Sequence, residues 1–177
     1  MGLHPWYLEN HTEAFKILSK YSRARNVLAI GECGLDKVCS TDWELQAGVF
    51  KQQIALANEL RKPLIIHCVR AYYELIQLLD ECGVSVPVVV HGFNKKQEVA
   101  RQLLHKGYVL SFGTALLKNE TAVAVFKDIP TDRFLLETDD SGLLIEQVYN
   151  RAAEIKETGL DSIILQAGNN FKTVFNL

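Results

Sequence analysis

Five short apolar runs punctuate the chain, each closed by a polar residue and followed by a segment of helical period. They are Val27-Leu28-Ala29-Ile30-Gly31 before Glu32, Pro63-Leu64-Ile65-Ile66 before His67, Pro87-Val88-Val89-Val90 before His91, Tyr108-Val109-Leu110 before Ser111, and Phe134-Leu135-Leu136 before Glu137-Thr138-Asp139. Apolar residues on consecutive rather than alternate positions mark strands covered on both faces, as in a parallel sheet. Pro63 and Pro87 open their runs, where a missing N–H is tolerated. The intervening segments read as helices. One runs from Asn10 to Tyr21 with Ala14, Phe15 and Leu18 on its apolar face. A second opens with Thr41 to Glu44 as a capping box and continues through Leu45, Val49, Ile54, Ala57 and Leu60. A third spans Tyr72 to Cys82 and stops at Gly83; a fourth is capped by Asn94 and stops at Gly107. Three more fall near 117–128, 143–158 and 161–175.

Strand followed by helix, five times over, predicts parallel strands joined by crossovers and hence an α/β fold. A closed (β/α) barrel and an open doubly wound sheet both satisfy that pattern. No G-x-G-x-x-G turn and no Walker-type loop follows any strand, so a nucleotide-binding sheet lacks its usual signature. The polar residues favour the barrel. Glu32, His67, His91, Ser111 and Asp139 are each expected at the carboxyl end of a different strand, and in a barrel those ends converge on one face.

Composition adds bounds rather than chemistry. At 177 residues a single domain over 1–177 is expected, and 48% apolar with 23% charged residues is ordinary for a globular chain. Nineteen basic against twenty-one acidic residues, net −2, exclude the strongly basic footprint of a protein that coats duplex nucleic acid. A local basic patch at a cleft stays open. No apolar stretch approaches the ~18 residues of a membrane span, and the start carries no secretory pattern, so the expectation is a soluble, cytoplasmic protein without membrane partners. Cys33, Cys39, Cys68 and Cys82 form no C-x-x-C pair and read as reduced structural thiols.

Glu32, His67, His91 and Asp139 then take on weight as a set. Taken singly, a His after an apolar run is more often a satisfied interior residue, and an acid at a strand end is usually a helix cap. Four at four strand ends point instead to metal chemistry: two imidazoles and two carboxylates suit zinc, manganese or another divalent ion.

The motifs carrying these residues resemble those of the TatD family of metal-dependent hydrolases. Gly31-Glu32-Cys33-Gly34-Leu35-Asp36 is similar to the family's G-E-x-G-L-D signature. Lys62 to Ala71, Val89-Val90-His91-Gly92-Phe93 and Leu136-Glu137-Thr138-Asp139 follow in the family's order. Gly2-Leu3-His4-Pro5 matches its G-x-H-P turn, and Asn170-Phe171 with Phe175 its last helix. The resemblance spans essentially the whole chain. It implies a TIM-barrel fold of the metal-dependent hydrolase type and a two-metal site (Zn, Mn or Mg) acting on phosphodiesters such as DNA. Within that site Glu32 is implied as the bridging carboxylate, and His67 and His91 as ligands of the second metal. Asp139 is implied as the first-metal ligand that orients the attacking water and serves as general base. Arg70 is the candidate phosphate contact, with Lys95 and Lys96 as outer helpers.

The chain departs from the family pattern in three places. The family opens with a strand ending in H-x-H, and neither His4 nor His11 lies in such a motif. After Glu137-Thr138-Asp139 the chain runs into Asp140-Ser141-Gly142 and a helix, instead of a small residue and proline. Gly168-Asn169-Asn170 falls in a helix rather than an active-site loop. The expectation is therefore an incomplete barrel lacking the first strands, short of the floor of about 200 residues for a (β/α)₈ barrel. Such a sheet has two unpaired edges that invite a homo-oligomer. With the H-x-H pair missing, one ion is expected where the family holds two. Two alternatives remain: a non-catalytic barrel remnant serving binding or assembly, and a related hydrolase of amides or esters.

Overall fold

The computed structural model describes residues 1–177, with all five expected strands in place. α1 (His11–Tyr21) precedes β1 (Ile30–Asp36), α2 (Trp43–Leu60), β2 (Leu64–Val69), α3 (Tyr72–Glu81) and β3 (Val88–Val90). Then come α4 (Gln97–His105), β4 (Val109–Phe112), α5 (Ala115–Lys118), α6 (Glu120–Asp128), β5 (Phe134–Leu136), α7 (Ile145–Ile155) and α8 (Leu160–Phe175). The hydrogen-bonded strand order is β1-β2-β3-β4-β5. Sequential order with a helix between successive strands is what right-handed β/α crossovers produce. The chain forms two compact units, Met1–Val89 and Val90–Leu177.

In the first unit β1 and β2 pair in parallel, with Gly34 opposite His67 and Asp36 opposite Val69. The two backbones come very close at Gly34. Its φ is +135°, and a Cβ built there would stand 2.1 Å from the His67 carbonyl oxygen, so only glycine fits. Ile30, Cys33, Leu35, Phe50, Ile54, Leu64, Ile66, Leu75 and Leu79 form the buried core, as their consecutive or 3.6-spaced positions predict. The edge of β1 is partly occupied. The Gly31 N–H donates to Met1 O (2.8 Å) and the Met1 amino group to Ala29 O (3.2 Å). Buried Gln53 of α2 clamps Leu3, two residues on from Met1, accepting from its N–H (2.7 Å) and donating to its carbonyl (3.0 Å). The cap of α2 is Asp42, which accepts from Leu45 N–H at 2.9 Å, rather than Thr41. Thr41 instead gives its carbonyl to Gln46 (2.9 Å).

In the second unit β4 and β5 pair in parallel, Ser111 opposite Leu135 and Phe112 opposite Leu136. Phe93, Phe112, Phe126 and Phe134 form a chain of edge-to-face contacts with centroids 5.7, 5.1 and 5.1 Å apart. Each such contact contributes about 0.5–1.5 kcal/mol beyond area burial. The helix expected near 117–128 is two. Asn119 interrupts it and caps α6, its side chain accepting from Thr121 and Ala122 N–H. The expected Asn94 cap of α4 gives way to Lys96, whose side chain makes no capping bond. Asn170 is buried in α8 and donates to Thr131 O and Phe134 O, both at 2.8 Å, which ties the last helix to the start of β5.

Candidate metal centre and its surroundings

Glu32 lies within β1 and His67 within β2, so the strands run on past both rather than ending there. Period-two alternation puts Gly34 and Asp36 on one face of β1, and Glu32 sits just before them in the register shift between Ile30 and Cys33. His4 joins them from the turn that follows the clamped Leu3, closed by Tyr7 N–H donating to His4 O at 3.0 Å. One ligand-grade atom from each of His4, Glu32 and His67 lies within 4.8 Å of the others. The His4 and His67 rings meet edge to face with centroids 4.4 Å apart, and His4 Nε2 is 3.8 Å from Glu32 Oε2. Sequence reasoning set His4 aside as a turn residue. No local signal marks it, because the pairing of Met1 with β1 is what brings it here.

The imidazoles are not equivalent. His67 Nε2 faces Asp36 Oδ2 at 3.1 Å, a contact in which a neutral ring carries its proton on Nε2 and its lone pair on Nδ1. His4 Nδ1 accepts from the Trp6 N–H at 3.2 Å, which leaves the proton on Nε2, the nitrogen facing Glu32. In that state His4 turns a donor rather than a lone pair to the cluster. An anionic carboxylate beside a lone-pair-bearing imidazole fits a borderline divalent cation, so Glu32 and His67 have the chemistry of ligands.

Asp36 is the hub behind His67. Its side chain is 3% exposed, and Oδ2 also accepts the Trp6 indole N–H at 2.7 Å, while Oδ1 accepts Val38 N–H at 2.7 Å. Gln46 of α2 fixes its main chain, accepting from Asp36 N–H (2.8 Å) and donating to Asp36 O (3.0 Å). Burial alone pushes the Asp36 carboxyl up; the Trp6, Val38 and His67 hydrogen bonds outweigh it and hold the group below the ordinary aspartate range.

The remaining predicted residues lie in the second unit or at the surface. His91 follows β3 directly, its Nδ1 3.5 Å from Glu137 Oε1. Glu137 Oε1 also accepts the Gly92 N–H (2.8 Å), and Oε2 accepts a short hydrogen bond from Ser111 Oγ. Burial pushes this carboxyl up too, and His91, Ser111 and Gly92 together bring it below the ordinary glutamate range. Ser111, a strand-end residue in the sequence, thus serves Glu137. Asp139 is exposed at φ +50°, three residues past β5, and lines a cleft of about 240 Å³ with Gly92, Asn94, Thr114 and Glu137. Arg70 is exposed at φ +54° just after β2, three residues on from His67. Lys95 is half-buried and Lys96 exposed at the start of α4. Asp36 and Glu137 were missed in the sequence because each looks like an ordinary cap or strand-end acid.

A parallel β/α architecture that presents acid and imidazole groups from its strands and loops is the kind of scaffold that metal-dependent hydrolases use. The chain belongs to the TatD-related DNase family, whose family model matches residues 1–176. It is 34% identical over 194 residues to an uncharacterized metal-dependent hydrolase of Buchnera aphidicola, covering 99% of this chain and 73% of that one. It is also 34% identical over 150 residues to the 3'-5' ssDNA/RNA exonuclease TatD of Cronobacter sakazakii, covering 81% of this chain and 57% of that protein. The crystal structure of the TatD homologue YjjV from Escherichia coli K12 superposes with a TM-score of 0.91 at 27% identity, over all of this chain and 76% of that one.

Proposed function

We propose that this chain hydrolyses phosphodiester bonds in nucleic acid, DNA first, with divalent metal ions held by Glu32, His67, His91 and Asp139. The observation that carries this reading is the Glu32–His67 pair, with His4 beside it, inside a 4.8 Å cluster. Support comes also from relatives named as a metal-dependent hydrolase and a ssDNA/RNA exonuclease. Divalent ions supply such a reaction with coordinated water of lowered pKa and with charge neutralisation at the phosphoryl oxygens. The residues do the rest. Asp139 accepts the proton of the attacking water. Arg70 holds a phosphate oxygen through a charge-assisted contact. His4, with its proton on Nε2, donates to an oxygen brought up to Glu32. No helix of the chain is long and apolar enough to cross a membrane. The same reading takes the cytoplasm as the working compartment, where four free thiols are at home.

The test is cleavage of end-labelled single- and double-stranded oligonucleotides by the purified chain with magnesium, manganese or zinc, against a chelated control. Metal-dependent cleavage that His67→Ala and Asp139→Asn each remove supports the proposal. Cleavage unaffected by chelator, or a metal-loaded chain inert on every phosphodiester, overturns it; the inert result favours a role in binding or assembly.

A further inference from the structure

Each metal-binding imidazole of the proposed function has a largely buried carboxylate behind it, and the two carboxylates engage opposite nitrogens. Asp36 Oδ2 lies 3.1 Å from Nε2 of His67, and Glu137 Oε1 lies 3.5 Å from Nδ1 of His91. The side chains of Asp36 and Glu137 are 3% and 23% exposed, those of His67 and His91 15% and 10%. We propose that Asp36 and Glu137 are positioning residues, each the acceptor that fixes ring orientation and tautomer of one imidazole: His67 protonated at Nε2, His91 at Nδ1. The assignment of metal binding to those imidazoles rests on the proposed function; the tautomers rest on the contacts alone.

Three features argue that these carboxylates are built for the task rather than incidental neighbours. First, neither is free to turn. Asp36 is anchored through both oxygens, by the Trp6 indole on one and the Val38 N–H on the other, while Gln46 grips its main chain. Glu137 is anchored by the Gly92 N–H on one oxygen and by Ser111 Oγ on the other, and its own N–H donates to Phe112 O at 3.0 Å. Second, every anchor on the carboxylate oxygens of Asp36 and Glu137 is a donor, so the carboxylate is held as an acceptor toward the ring, the state that commits a neutral imidazole to donate there. Third, the remaining nitrogen becomes the more basic for that bond. Outer carboxylates of this kind raise the basicity of a ligating imidazole, and removing one typically lowers metal affinity ten- to a hundredfold. The two carboxylates reach their rings from different places in the fold: Asp36 lies on the neighbouring strand, two residues past the Gly34–His67 register pair, whereas Glu137 is the residue immediately after β5.

Two measurements on the full chain test this. Long-range ¹H–¹⁵N spectra of the metal-free protein read the tautomers directly. The expected pattern is His67 protonated at Nε2 and His91 at Nδ1, with His67 losing its fixed tautomer in Asp36→Asn and His91 in Glu137→Gln. Calorimetric titration with zinc and with manganese then compares the wild type with both variants and with His67→Ala. A ten- to a hundredfold loss of affinity in each carboxylate variant, with the native circular dichroism retained, is expected. Unchanged tautomers, or affinities within about twofold of the wild type in both variants, overturn the inference. Should the wild type bind no ion, or bind it as tightly after His67→Ala, the functional reading fails, and the wild-type tautomers still decide the positioning claim. If a variant does not fold, those wild-type tautomers carry the test.

Discussion

Replacing Gly34 with alanine probes the closest backbone approach in the first unit. The new Cβ would sit 2.1 Å from the His67 carbonyl oxygen, with the next nearest atoms, His67 C and N, at 3.1 and 3.2 Å. An ordinary C···O contact needs about 3.3–3.6 Å, so β1 and β2 must separate there by roughly 1.2–1.5 Å. The atom in the way is backbone in a paired strand and cannot swing aside. A left-handed φ adds about 1–3 kcal/mol of strain for a side chain, and overpacking a further ~1–3 kcal/mol. The sum, about 2–6 kcal/mol, lowers Tm by roughly 5–20 °C for a chain of this size. Gly48 is the matched control: exposed in the interior of α2 with nothing within 4 Å of its Cβ position. There alanine is favoured by about 0.5–1 kcal/mol, so Gly48→Ala raises Tm by a few degrees. Differential scanning calorimetry of both variants measures the pair. A Gly34→Ala protein melting within about 2 °C of the wild type would refute the reasoning, because the strands would then have room that the geometry denies them.

Three further outcomes follow from particular contacts. Because His4 turns its Nε2 proton toward Glu32, His4→Ala changes divalent-metal affinity by less than about threefold while His67→Ala lowers it by more than tenfold; equal losses in calorimetry would make His4 a ligand. Asn170→Ala strips donors from Thr131 O and Phe134 O and lowers unfolding free energy by about 1–3 kcal/mol, read as a shift of the urea midpoint at constant slope. Cys33 is buried and its thiol pKa is pushed up by desolvation, so the native chain takes up iodoacetamide at Cys39 and Cys82 well before Cys33, and mass spectrometry showing Cys33 first would contradict that burial.

The strands were legible because consecutive β-branched and leucine residues, such as Val88-Val89-Val90, leave little choice but a doubly covered strand. Helix existence was equally plain, but boundaries depended on which neighbouring polar residue wins the cap. Asp42 beats Thr41 because its carboxylate reaches Leu45 N–H, and Asn119 splits a continuous apolar period that gave no warning of a break. Glu32, His67, His91 and Asp139 could be named because they close apolar runs. Their supports could not. Gln46, Gln53, Asp36 and Glu137 are polar residues whose partners are set by tertiary contact, Gln53 serving Leu3 fifty residues away, and no local pattern encodes such a pairing. His4 shares that fate, since only the pairing of Met1 with β1 delivers it to the cluster.

The clamp of Gln53 on Leu3 also sets a timetable. On the ribosome His4 is made well ahead of its neighbours, and His67 follows 63 residues later (67 − 4). At about 5–20 residues per second, that is a wait of roughly 3–13 s. For most of that interval, until Gln53 is made, the turn bearing His4 and the exposed Trp6 has no α2 to grip it. The cluster is thus closed by a delayed long-range event.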